Sequence, residues 1–429
     1  MTSHALVLSA ALLLLLPSSP TARAQEPGDT QSLLLTSPEN FFRNLQSGEG
    51  SLDGLGYLYP HFHVFGVYTE ATTDISSLAV GDHDPQSDLT LQGIEPGISL
   101  RAGWLQGFAN ATGTTDADGH FSLNLEEAFL KLIDLPLGLE LRGGQYLNRF
   151  GFHNTLHNHG WDYLNQNLVN SRFLNEGELT TLGGEISWNA PLPFFQTSLL
   201  SVSVGEIQSH DHAHGEEEHG EEAEFEGEGA NLQDIAVTAS WLNQYDLNDR
   251  HRLVGLVSGA WGDNEFGGTS QVYGIGLEYL WRENGYSPGG QALRWRNELL
   301  YRHFEAVSGH LHGDEEHEEE DHHDDHDDDH HEEEETRQAD LDEIGLYSSL
   351  VYSLDDRIDL GLRGGWVSGI SEAGLDDRFR LSPMITFYSD PARTFQARLQ
   401  YNYDYSDDFG SEHSIGLQIG INLGGPEVR

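Results

Sequence analysis

Apolar and polar residues alternate with a period of two over most of this chain. The clearest stretch has Ile415, Leu417, Ile419, Ile421 and Leu423 on one face and Ser414, Gly416, Gln418, Gly420 and Asn422 on the other. Tyr273, Ile275, Leu277, Tyr279 and Trp281 stand in the same way against Gly274, Gly276 and Glu278, with aromatics at both ends of the apolar side. Successive side chains of a strand point to opposite faces, so each stretch predicts a strand with one apolar and one polar face. Each is roughly ten residues long, the length a tilted strand needs to cross a bilayer. Comparable stretches lie near 60–69, 89–100, 104–112, 121–133, 138–147, 179–189, 196–205, 231–242, 251–261, 269–281, 292–304, 341–353, 357–367, 378–388, 394–404 and 413–423. Their even number and aromatic-ended apolar faces predict an all-β fold, a transmembrane antiparallel β-barrel of about 16 strands, with 14 and 18 as the neighbouring counts.

The connections between these stretches fall into two kinds. Asp134 to Leu137, Ala190 to Phe195, Tyr245 to Arg250, Leu354 to Asp356 and Ser389 to Arg393 are turn-like and carry Pro, Asp or Asn. The long connections, including 148–178, 206–230 and 306–340, all have the other parity. Barrels of the outer membrane of Gram-negative bacteria have short periplasmic turns and longer extracellular loops, so the long connections are expected outside.

Composition changes the picture at the two ends and in the loops. Ala5 to Leu16 is an apolar run too short to span a bilayer as a helix, followed by Pro17 and Ala22-Arg23-Ala24. It predicts a secretory signal over 1–24. Residues 25–58 then read as a periplasmic lead-in, 59–423 as the barrel and 424–429 as a periplasmic tail. The lead-in is too short for a plug domain. There is no cysteine, hence no disulfide framework. With 71 acidic residues and a formal charge of −50, nucleic acid is excluded as a partner.

Much of that charge is local. His310 to Glu335 holds eight histidines and sixteen carboxylates, with no apolar residue after Leu311. It cannot be core. Imidazole with carboxylate suits borderline divalent metals, and the dense negative charge raises the local cation concentration. His310, His312, His317, His322, His323, His326, His330 and His331 are therefore candidate ligands, with Zn²⁺ as the expected ion. The bland alternative is a solubilising acidic loop. The connection 206–230 repeats the pattern with His210, His212, His214 and His219, the first three alternating along one edge of an extended segment.

A third cluster differs. Between Asn148 and Tyr163, His153, His157, His159 and Asp162 are mixed with aromatics and asparagines, a composition that can pack. Two readings stand: the loop folds into the lumen and makes a deeper metal station of those four residues, or its histidines only hydrogen-bond within the loop. Lone histidines such as His63, His251, His303 and His413 read as girdle or turn residues. The polar faces of the strands carry Arg142, Arg294, Arg296, Glu298, Arg302, Arg363, Arg380 and Arg398, expected to line the pore, while the single lysine is Lys131. Arginines facing carboxylates across a lumen set a transverse field and tune selectivity. They could equally favour anions. No GxSxG, phosphate loop or HExxH is found, and no enzyme is expected.

Several stretches together resemble a known family. They are Gly81-Asp82-His83-Asp84-Pro85 with Leu89 to Glu95, then Leu125-Glu126-Glu127-Ala128-Phe129-Leu130-Lys131-Leu132, then Gly143 to Gly151 continuing through His153, His157 and His159. They are similar to a group of Gram-negative outer-membrane barrels with His-rich loops, often labelled zinc-regulated outer-membrane receptors. The resemblance implies a plugless porin-like barrel inserted by the barrel-assembly machinery into outer-membrane lipid. The expectations that follow are a zinc channel, with an anion or general porin and a barrel-anchored surface metal binder as alternatives. A periplasmic zinc-binding protein as recipient and a trimer are the further partner expectations. Zinc retention by the loops should fall between about pH 7 and 5.5 as imidazoles protonate.

Overall fold

The computed structural model describes residues 57–424, except 82, 118, 209–226, 308–337 and 371–374. The expected signal (1–24), nearly all of the lead-in (25–58), the tail beyond Gly424 and all twelve rim histidines of 206–230 and 306–340 lie outside the described residues.

Sixteen strands follow one another: β1 (Tyr57–Ala71), β2 (Leu89–Ala102), β3 (Leu105–Thr115), β4 (Phe121–Leu135), β5 (Leu139–Leu147), β6 (Thr180–Asn189), β7 (Thr197–Gln208) and β8 (Leu232–Asp246). The second half is β9 (His251–Asn264), β10 (Thr269–Arg282), β11 (Ala292–Val307), β12 (Gln338–Ser353), β13 (Ile358–Val367), β14 (Arg378–Tyr388), β15 (Phe395–Ser406) and β16 (Gly410–Gly424). Each pairs antiparallel with its sequence neighbours, and β1 pairs with β16 from His61↔Gly424 to Ala71↔Ser414, closing the barrel. Closure leaves no strand edge unpaired, which a hydrocarbon surround requires. Every expected strand is present, and β1 starts at Tyr57, two residues inside the expected lead-in.

The period of two resolves into inside and outside. In β16, Ile415, Leu417, Ile419, Ile421 and Leu423 are exposed, whereas Gln418 and Asn422 are buried. This is the reverse of a soluble protein, and it is what a lipid-facing surface requires. Aromatics such as Tyr68, Trp188, Trp241, Tyr273, Trp295 and Tyr401 are exposed on the same outward surface. A chain of alternating strands has its odd-numbered connections at one rim. At that rim lie 72–81, 148–179 and the facing ends of β7 and β8, of β11 and β12, and of β13 and β14, while the opposite rim has tight turns such as Pro136–Gly138, where Leu137 and Gly138 take φ of 67° and 76°.

Candidate functional site

The connection between β5 and β6 lies inside the barrel. Leaving aside the side chain of Glu176, all of residues 148–179 are buried except Asp162, Arg172, Asn175 and Glu178. Its local structure is two short 3₁₀ turns, Asn158–Gly160 and Asn175–Gly177, and one helix, α1 (Leu168–Phe173), capped by the Asn167 side chain, which accepts from the Asn170 backbone N–H at 2.9 Å. The reason it turns inward is apolar. Phe150, Leu168, Val169, Phe173 and Leu174 pack against Ile207, Leu232, Ala260, Val272, Leu300 and Val367, aliphatic side chains on the inner wall. A lumen face carrying such residues would be wet without the loop, and burying each is worth about 1.5–3 kcal/mol.

Polar anchors then fix the register of the loop. The Glu298 carboxylate accepts from the Phe152 N–H at 2.7 Å. Arg294 pairs with Asp162, Arg363 donates to the Asn165 carbonyl at 2.9 Å and its side chain at 2.7 Å, and Arg398 donates to the Trp161 carbonyl at 2.8 Å. The other expected pore residues face inward too, but in wall pairs: Arg142 with Glu185 at 2.6 Å, Arg296 with Glu278 at 2.7 Å, Arg302 with Glu343 at 2.5 Å and Arg380 with Asp404 at 2.7 Å. All eight are buried, so they bound the inward loop and the wall rather than open water.

The opposite side of the lumen has a different chemistry. His157 Nε2 lies 2.7 Å from Glu127, and its Nδ1 lies 3.2 Å from Glu126 and 2.7 Å from the Asn110 side chain. His159 Nδ1 pairs with Glu95. His63 stacks on His159 with ring centroids 3.8 Å apart, held by Asn422 at 2.9 Å from its Nδ1. His61 follows along β1, stacked on Phe108. A little further on, His83, from the 72–88 connection, meets Glu178 at 3.7 Å and Trp161 edge-on.

Two groups of ligating side chains stand out among the described residues, Glu95 with His157 and His159, and His83 with Glu126 and Glu178. Within each group the ligand atoms lie within 4.8 Å of one another. Thus the structure brings His157 and His159 together, their rings 5.7 Å apart, but neither group includes His153 or Asp162. The reason is local. Asp162 is taken by Arg294, and His153 is buried against Trp161, where its Nε2 finds no hydrogen-bond partner. Burial pushes the His153 imidazole down to about 3, with Arg363 and Arg296 adding to the effect. Burial alone would raise the Asp162 carboxyl, but Arg294, Arg296 and Arg398 outweigh it and hold it below its usual range.

His63 is a correction to the sequence reading: it is an inner-wall residue, 1 % exposed, because β1 turns His61, His63, Phe65, Val67 and Thr69 inward. His251, His303 and His413 sit beside girdle or rim partners, Tyr279, Asp342 and Tyr401. Glu95, Glu126, Glu127, His83 and Glu178 were not anticipated as site residues. Two β-bulges hide the three that lie on strands, Glu95, Glu126 and Glu127. The β3–β4 register steps from Asn110↔Glu127 to Ala111↔Leu125, so Glu126 is the extra residue and two successive carboxylates both face inward. The β1–β2 register steps likewise at Phe65/Gly66, bringing Gln92 and Glu95 onto the inner face although they are three apart. Only the presence of acids on the polar side of a lipid-facing strand could have signalled them.

No family model matches the chain. A protein of Aquifex aeolicus (strain VF5), itself described as uncharacterized, is 28% identical over 199 residues, 43% of this chain, and the chain spans 39% of that relative's length. Among solved structures, an anion-selective porin from Comamonas acidovorans is similar with a TM-score of 0.50 at 10% identity, covering 86% of this chain and 100% of that one. The outer-membrane channel DcaP of Acinetobacter baumannii is similar with a TM-score of 0.50 at 12% identity, covering 86% and 97%. The fold is therefore that of the sixteen-strand outer-membrane porins, and the apolar outer surface of this closed barrel places the chain in the outer membrane of a Gram-negative bacterium.

Proposed function

We propose that this chain is an outer-membrane channel that admits divalent transition-metal ions, Zn²⁺ foremost, through a lumen narrowed by the inward loop. The observation that carries this reading is how the buried charges are matched. Five of the seven inward arginines named above are paired with carboxylates, and the other two, Arg363 and Arg398, donate to neutral groups of the inward loop. Among the described residues, Glu95 and Glu126, 0 % and 2 % exposed, form ion pairs to imidazoles alone. Buried carboxylates beside imidazoles offer a mixed oxygen and nitrogen donor set to a borderline cation, whereas the five arginines paired with carboxylates offer little to an anion. The acidic histidine stretches 206–230 and 306–340 join strands at the rim that carries the inward loop, where they would raise the local cation concentration. The resemblance to barrels labelled zinc-regulated outer-membrane receptors supports the same reading.

An anion porin is the second reading. The wall from β11 to β15 favours it, because Arg363 and Arg398 end on neutral groups of the loop, Asn165 and the Trp161 carbonyl. One of the structural neighbours is described as anion-selective. Planar-bilayer recording of the purified barrel in a KCl gradient separates the readings. A cation-selective reversal potential, with Zn²⁺ entry into barrel-containing liposomes, is the expected result. An anion-selective potential would establish the second reading, and no conductance at all would leave a surface metal binder anchored by its barrel.

A further inference from the structure

We infer that Glu95, His157 and His159 bind one divalent transition ion, and that the ion clips the inward loop to strand β2. This deepens the channel reading, and rests on it in that the clipped loop is what narrows the lumen. The three residues come from both partners of the clip: Glu95 from the wall, His157 from the residue before the Asn158–Gly160 turn and His159 from within it. Their ligand atoms lie within 4.8 Å of one another. Tetrahedral bonds of about 2.1 Å leave ligand atoms about 3.4 Å apart, so closure needs only side-chain adjustment. Two imidazoles and a carboxylate favour Zn²⁺, Co²⁺, Ni²⁺ or Cu²⁺ over the oxygen-seeking Mg²⁺ and Ca²⁺.

Three further observations point to a ligand. Glu95 is fully buried, and its Oε1 has no hydrogen-bond partner. Leaving a buried carboxylate oxygen unsatisfied is costly, and a cation removes that cost. The outer supports of a metal site are also present. His157 has Glu127 at 2.7 Å from Nε2 and Glu126 at 3.2 Å from Nδ1, so whichever nitrogen takes the ion, the other keeps an acidic acceptor. His159 is oriented by the stacked His63 ring, 3.8 Å away. Finally, the loop already touches β2 here, through the Asn158 side chain donating to the Gln92 carbonyl at 3.0 Å, so an ion at this point would fasten an existing contact.

The test uses the full-length barrel in detergent, with Co²⁺ and Zn²⁺ as probes. After washing with a weak chelator that strips the rim stretches, wild type should retain about one Co²⁺ per barrel, with the visible absorption of a tetrahedral nitrogen–oxygen site. Glu95→Gln and His159→Asn should each lose it, while Glu127→Gln, which leaves the ligands in place, should weaken it about tenfold to a hundredfold. In wild type alone, amide exchange over 153–160 should slow when Zn²⁺ is added, a measurement that does not depend on any variant folding. Unchanged exchange, or a Glu95→Gln barrel that keeps its washed-in Co²⁺, overturns the clip even if the channel passes zinc. A barrel that shows both the retained ion and the slowed exchange supports the clip even if its conductance proves anion-selective.

Discussion

His153 and Asp162 make the inward loop sensitive to acid for reasons that can be worked out group by group. The His153 imidazole is held down to about 3 by burial and by Arg363 and Arg296. Its proton affinity in the unfolded chain is higher, so the loop's stability from this residue is complete above about pH 6.5 and declines as pH falls from there toward 3. Asp162, depressed by Arg294, Arg296 and Arg398 against the opposing effect of burial, adds a second loss at still lower pH, when its carboxyl protonates. Protection of the amides over 150–165, taken relative to the intrinsic exchange rate at each pH, should therefore fall between pH 6.5 and 4 while that of β14–β16 stays high. Replacing His153 with leucine should flatten the upper part of that dependence, and an unchanged profile would remove His153 from the account. The asparagine and aromatic content of the loop made its packing readable in the chain. The division of its titratable groups between two walls was not, because partners such as Arg294 and Glu95 arrive from strands remote in sequence.

At the level of elements, the strands were legible and their interruptions were not. Alternation located β16 because lipid on one side and packed polar groups on the other force the period of two at every position. A bulge leaves no such mark. Glu126 and Glu127 read as one inward and one outward residue until the Asn110/Ala111 step turns both inside. The start of the inward loop offers a test of how tightly that element is held. Gly151 has φ of +63°, and a Cβ placed there would lie 2.5 Å from Glu298 Oε1, the carboxylate that binds the Phe152 N–H. Gly151→Ala should cost the docked loop about 1–2 kcal/mol from backbone conformation alone. It should raise single-channel conductance and speed loop exchange, with the heat-resistance of the barrel on gels unchanged. Wild-type conductance in this variant would mean that the loop does not set the width of the lumen.

For the whole molecule, the proposed function would join capture to passage through the parity of the connections. The strands on either side of 209–226 and 308–337, β7 and β8, β11 and β12, meet at the same rim from which the inward loop descends. On the proposed reading, the sixteen carboxylates and eight histidines of 310–335 would gather ions at the rim from which the inward loop descends. A concentrated negative charge raises capture rates by about tenfold or more at low ionic strength, and the effect fades as salt shortens the screening length to about 3 Å at 1 M. Deleting 310–335 should consequently slow Zn²⁺ entry into liposomes several-fold at submicromolar zinc in dilute buffer, and hardly at all at saturating zinc or in about 1 M salt, where screening has removed the collecting field. Single-channel conductance in KCl should be unaltered, because the deletion leaves whole the flanking wall strands, β11 to Val307 and β12 from Gln338. A deletion that lowers entry equally at all zinc concentrations would make the stretch part of the conducting path, and one that changes nothing in dilute buffer would reduce it to a solubilising loop.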